Sequence, residues 1–153
     1  MNTATDRIQR QVLIRAPRAR VWRALSEAEE FSRWFGVAVK GGRFQPGQQV
    51  KGRVTYPGYE HLEFAMTIER CEPESLLSWR WHPAAIDAKV DYSSEPTTLV
   101  VFELEDAPQG TLLRVTESGF DRIPPQRRMH AFRLNSEGWE EQMRNISQHV
   151  ASG

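Results

Sequence analysis

The last stretch of the chain constrains its fold more than any other. Between residues 124 and 150, Phe132, Asn135, Trp139, Met143, Ile146 and Val150 recur at spacings of three and four. That spacing places them on one face of an α-helix. Arg133, Glu137, Glu140, Glu141, Arg144 and Gln148 fall on the other side, which is expected to face water. Pro124 and Pro125 suit a first helical turn, where a missing N–H is no loss. Such a helix is about 37 Å long at roughly 1.5 Å per residue, so its apolar face needs a broad partner. Asn135, Ser136 and Gly138 are weak helix formers in its middle. Two readings fit them: a bend or close contact with a sheet, or room left for a ligand beside Trp139.

Most of the remaining chain reads as strands. Ile8, Val12 and Ile14 alternate with polar residues, with Arg10 interrupting the apolar phase, as in a half-buried first strand. Ala16-Pro17 opens a short helix that turns Val21, Trp22 and Leu25 inward. Ser26 and Glu29 have capping-box spacing, which predicts a second short helix starting there. Its apolar residues are Phe31, Trp34 and Phe35, and Gly36 stands where a left-handed cap is expected.

From Val37 the period changes to two. Short strands are expected over 37–40 and around Val50, Gly52 and Val54, with turns at Gly41-Gly42, Pro46-Gly47 and Pro57-Gly58. Leu62, Phe64, Met66 and Ile68 give the clearest alternation, and Leu77, Trp79 and Trp81 repeat it. A long loop covers 83–96. Val100, Phe102 and Leu104, then Leu113 and Val115, mark the last two strands around a turn at Gln109-Gly110. The expected fold class is α+β: a curved antiparallel sheet, two short helices after its first strand, and the long C-terminal helix on its concave side. One domain is expected over residues 1–153, with an ordered core of about 8–150.

The bulk numbers exclude several function classes. Lys+Arg and Asp+Glu both number 20, so the formal net charge is zero and a nucleic-acid partner is not expected. Cys71 is the only cysteine, which points to a reducing compartment. Met1 to Asp6 are polar with no apolar run behind them, so no signal peptide is visible. Nothing approaches the roughly twenty apolar residues of a membrane span, and a cytoplasmic location follows.

Several motifs occur together in order. They are Ala16-Pro17-Arg18 through Val21-Trp22-Arg23-Ala24-Leu25, Arg33-Trp34-Phe35-Gly36, Gly41-Gly42-Arg43-Phe44, Glu72-Pro73, Glu117-Ser118-Gly119-Phe120 and Glu137-Gly138-Trp139. On these the chain resembles the START-like, birch-pollen-allergen (SRPBCC) superfamily. Within it, the chain is similar to the branch related to the activator of the ninety-kilodalton heat-shock-protein ATPase. The resemblance implies a helix-grip fold with a cavity between sheet and helix. Related branches bind lipids, sterols, polyketides or plant hormones, and some are cyclases. It also implies a chaperone as one conceivable partner. In the eukaryotic activator, however, stimulation depends on a separate N-terminal domain, and here the first strand is expected within the first ten residues. Chaperone activation is therefore not the expected role.

Glu117 is the residue with the most chemical interest. It keeps the inward phase of Leu113 and Val115, so a core-facing strand should carry a carboxylate. It could orient a ligand or act as a general acid or base. Alternatively, near its strand's end, it could reach water or bond the adjoining loop. Candidate ligand-binding walls are Phe64, Met66, Trp79, Trp81, Phe102, Val115 and Glu117 on the sheet, with Phe132, Asn135, Trp139 and Met143 on the helix. Packed together, these same side chains would simply be a core. His61, His82, His130 and His149 lack metal-ligand spacing, and neither a metal nor a cofactor is expected. Seven arginines from Arg7 to Arg33 are interleaved with Glu27, Glu29 and Glu30, which describes a solvated charged face.

Three functions are consistent with this sequence. The first is binding of a small hydrophobic or amphipathic molecule between sheet and helix. The second is a cyclase- or hydratase-type enzyme using Glu117 with Asn135 or a histidine. The third is an interaction module for a chaperone or other protein. The sequence carries no signal for an oligomeric state.

Overall fold

A computed structural model describes residues 6–87 and 89–152. The polar N-terminal residues 1–5 and position 88 of the long loop lie outside the described residues. In chain order the elements are β1 (Arg7–Ile14), α1 (Arg18–Ser26), α2 (Ala28–Phe35), β2 (Val37–Val39), β3 (Gln49–Val54), β4 (Glu63–Glu72), β5 (Leu76–Trp81), β6 (Thr98–Ala107) and β7 (Gly110–Ser118). A short 3-10 turn (Phe120–Arg122) then leads to α3 (Pro125–Ser152). The seven strands form one antiparallel sheet in the order β1-β7-β6-β5-β4-β3-β2. This is the expected helix-grip α+β architecture, with a curved sheet holding α3.

Strand phase follows side-chain chemistry. On β4, Phe64, Met66 and Ile68 are buried between exposed neighbours, and the register shift after Ile68 adds local bend to the sheet. On β1, Arg10 occupies an inward position without disturbing the strand, because its guanidinium donates to Ser136 Oγ on α3 at 2.7 Å. Gly52 lets β2 and β3 approach: a Cβ there would lie 2.0 Å from the Ala38 carbonyl oxygen.

The helices come from local signals, with two corrections. Pro17 stands at the N-terminal boundary of α1, and Gly36 closes α2 in the left-handed region at φ 86°. Ser26 and Glu29 do not form a capping box. Ser26 is still the last residue of α1, so its hydroxyl donates back to the Trp22 carbonyl at 2.7 Å. Glu27 takes the cap position of α2 without a side-chain cap bond. Trp22 is half-buried rather than turned fully inward.

The core is aromatic. Phe31, Phe35, Phe64, Trp79, Trp81, Phe102 and Trp139 form one cluster of rings. Phe35 is central to it, within 6.1 Å of the ring centroids of Phe31, Phe64, Trp79, Trp81 and Trp139. Full burial of each such side chain contributes about 1.5–3 kcal/mol. Ala131, Trp139, Met143, Ile146 and Val150 are the buried residues of α3, while Phe132 and Asn135 are half-buried. Among the described residues, no helix is long and apolar enough to cross a membrane.

Candidate functional site

Glu117 lies on β7 opposite Val100 of β6 and is 0% exposed. Removing a carboxylate from water costs several kcal/mol unless its lone pairs find donors. Here all four are met. Oε1 accepts from Asn135 Nδ2 at 2.9 Å and Trp139 Nε1 at 2.8 Å. Oε2 accepts from Trp81 Nε1 at 2.8 Å and Thr98 Oγ1 at 2.5 Å. One side chain thus joins β5, β6, β7 and α3. The carboxylate is enclosed, with two protein donors on each oxygen.

The four bonds also fix their donors. Each indole is turned so that its N–H points at Glu117, and the rings of Trp81 and Trp139 stack with centroids 5.9 Å apart and planes inclined by 30°. Asn135 must turn its NH2 toward the carboxylate, which can only accept, and so directs its carbonyl oxygen elsewhere. These constraints come from pairing alone.

Beside this cluster lies a cavity of about 820 Å³ that opens to solvent. Phe35, Phe64, Trp81 and Trp139 supply its apolar wall. One side is the face of α3 carrying Asn135, Gly138, Gln142 and Asn145. Tyr56, Tyr59 and Ile86, each at least 37% exposed, stand around it. Its size falls within the roughly 300–1,000 Å³ typical of small-molecule sites. Gly138 matters to its shape: a Cβ placed there has nothing within 4 Å beyond its own helix backbone and chain neighbours.

Of the eleven residues expected around a pocket, Phe64, Trp81, Asn135 and Trp139 line this cavity. Met66, Trp79, Phe102, Val115 and Met143 are buried in the core behind it. Glu117 sits behind the wall as its anchor, and Phe132 packs on Phe120 with ring centroids 5.3 Å apart. The displacement has one cause. Phe35 fills the space between sheet and helix that the sequence left open, so the cavity forms on the outer side of that ring.

At the far end of the cavity His149 shares Glu30 with Arg20. Glu30 Oε1 accepts from Arg20 at 2.8 Å and from His149 Nε2 at 2.9 Å. Burial alone would raise the Glu30 pKa, but the bonds and charges of His149 and Arg20 outweigh it and hold the carboxyl below its ordinary value. The 83–96 loop is anchored by Arg127, which bonds Glu95 and the carbonyls of Pro83 and Ala84 and lies 4.7 Å from the Tyr92 ring centroid. Ile86 of this loop reaches the cavity.

Known proteins agree with this architecture. The family model described as "Activator of Hsp90 ATPase homolog 1-like protein" matches residues 15–151. A Mesorhizobium loti protein superposes with TM-score 0.75 at 22% identity, covering 95% of this chain and 97% of that one. An Arthrobacter aurescens protein gives TM-score 0.79 at 15% identity, over 100% of this chain and 90% of the other. DynU16, a protein in the dynemicin biosynthetic locus, gives 0.73 at 20% identity, with 97% of this chain matching 48% of that one. No curated protein matches the chain. At these identities the structural likenesses speak for the fold, whereas the family model spans nearly the whole sequence. With strand order, terminal helix and sequence in agreement, the chain belongs to the family of activator of Hsp90 ATPase homolog 1-like proteins.

Proposed function

We propose that this protein binds a small hydrophobic or amphipathic molecule in the cavity between α3, α2 and the sheet. The observation that carries this reading is the aromatic wall itself. Glu117 holds both indole N–H groups inward, so half-buried Trp81 meets the open space with apolar ring surface and buried Trp139 backs it. Binding is favoured over cyclase- or hydratase-type chemistry because the buried carboxylate already has four donors and would have to break one bond to take a proton.

The test uses N-phenylnaphthylamine, an uncharged probe whose emission rises in apolar surroundings, together with Gly138→Leu. Leucine is a good helix former and would project into the vacant space beside Trp139. Saturable one-site binding by the native protein, lost in a Gly138→Leu protein that retains its circular dichroism and melting temperature, is the expected result. Binding unaffected by the substitution would place the probe elsewhere and overturn the proposal.

A further inference from the structure

The polar groups around the cavity are not balanced between donors and acceptors. Both indole N–H groups point to Glu117. Gln142 directs its NH2 to the Phe35 carbonyl, and Asn145 directs its own to Gln142 Oε1. Ser152 donates to the Gln148 carbonyl, and His149 is held by Glu30. Arg33 stands 3.4 Å from Glu29, in solvent.

What remains on the α3 side is the carbonyl oxygens of Asn135 and Asn145, the carboxylates of Glu137 and Glu141, and the side-chain amide of Gln148. Neither glutamate has an ion-pair partner among the described residues. Glu137 and Glu141 are four residues apart and therefore lie on one stripe of the helix, beside Gly138. Trp81 of β5 also lines the cavity, and the quadrupole of an indole face attracts cations. The hydroxyls of Tyr56 and Tyr59 can donate or accept and so do not discriminate.

Resting on the binding reading above, we propose that the ligand is an apolar amine: an aromatic or polycyclic body carrying a protonated nitrogen, and not a fatty or aromatic acid. The body lies against Phe35 and Trp81, and the ammonium faces Asn135 Oδ1, Glu137 and Glu141. An anionic ligand would meet two like charges and the Asn135 acceptor oxygen, and the unengaged amide donor of Gln148 lies about two helical turns beyond Glu141.

Calorimetry with four probes of one shape tests this: naphthylmethylamine, naphthalenemethanol, naphthoate and methylnaphthalene at neutral pH. The amine is expected to bind at least about tenfold more tightly than naphthoate, since the charge difference acts together with the aromatic wall. In Glu137→Gln/Glu141→Gln, which keeps shape and leaves the Glu117 cluster untouched, the amine should lose its advantage over the alcohol. Naphthoate binding as tightly as the amine would overturn the ligand class and leave the cavity reading standing. An amine preference unchanged in the double variant would also overturn the assignment, because the two carboxylates would not be its source. If none of the four probes binds, the cavity reading fails and takes this inference with it.

Discussion

Trp81 of β5 and Trp139 of α3 stack at 5.9 Å and donate to opposite oxygens of one carboxylate, Glu117. The stacked pair is therefore held from behind, with half-buried Trp81 turned to the cavity and Trp139 buried against it. Trp79 is a natural control. It packs 5.5 Å from Trp81 and is fully buried, yet its Nε1 has no partner among the described residues.

The first prediction compares two substitutions. Trp79→Phe and Trp139→Phe remove the same group of atoms from one aromatic cluster. Only Trp139→Phe also takes a donor from the buried Glu117. Leaving a buried acceptor short of a partner costs about 1–3 kcal/mol. Urea unfolding should therefore show Trp139→Phe to be the more damaging by about that amount. Equal losses would mean that the Trp139–Glu117 bond contributes nothing net.

Gly138 gives a prediction of the opposite sign. Glycine within a helix costs roughly 0.5–1 kcal/mol relative to alanine, and the space for a methyl group is open. Gly138→Ala should raise stability by about that amount, read as a higher denaturation midpoint with unchanged m-value. A destabilised variant would show that the open space is closed in solution.

These two sites illustrate what the sequence reveals. Fold class is legible because strand alternation and helical spacing report burial directly, as in Phe64, Met66 and Ile68 or in Trp139, Met143 and Ile146. Glu117 is visible as a polar residue in an apolar phase. Thr98 stands in the same inward phase as Val100 and Phe102 on the neighbouring strand, and that second intruder was the available signal for a buried pair. The three weak helix formers of α3 also resolve into separate causes. Asn135 serves Glu117, Ser136 serves Arg10, and Gly138 leaves open space.

The position of the cavity was less legible. Phe35 projects from the last turn of α2, and nothing in strand phase or α3 spacing indicates that its ring would fill the sheet–helix gap. Contacts between elements distant in sequence depend on how the elements pack, which local periodicity does not encode. The same holds for Tyr56, Tyr59 and Leu62, which come to the cavity from the β3–β4 connection.

The Glu30 cluster predicts a pH dependence. Its pKa is lowered on folding by His149 and Arg20 despite burial. A depressed carboxyl pKa stabilises the fold above the unfolded value and loses that stabilisation as pH falls through the folded one. Native protein should thus lose stability through the acidic range below the ordinary glutamate pKa. Glu30→Gln should be less stable near neutrality and show a flatter acid limb in melting temperature against pH. Parallel curves for the two proteins would remove Glu30 from that dependence.

Arg127 predicts how the 83–96 loop behaves. At 14 residues, with no helix or strand among those described, the loop has the length expected of lids and binding segments. A single guanidinium gathers its two ends, bonding Pro83 and Ala84 on one side and Glu95 on the other, with Tyr92 against its face. His82 adds a contact to the Glu95 carbonyl at 3.1 Å. Arg127 lies in the first turns of α3, so the loop carrying Ile86 is tied to the same helix that lines the cavity. Lysine cannot reproduce a planar fork that reaches two carbonyls, a carboxylate and a ring together. Arg127→Lys should therefore speed amide exchange in 83–96 by several-fold, while strands β4 to β7 exchange as before. Because the ion pair is mostly buried, Arg127→Ala should go further and leave Glu95 without its charge partner. Probe binding should weaken in step with loop exchange if Ile86 contributes to the wall, and mainly through faster dissociation. Unchanged exchange in both variants would show that the loop is held by its own turns, and that Arg127 does not govern access to the cavity.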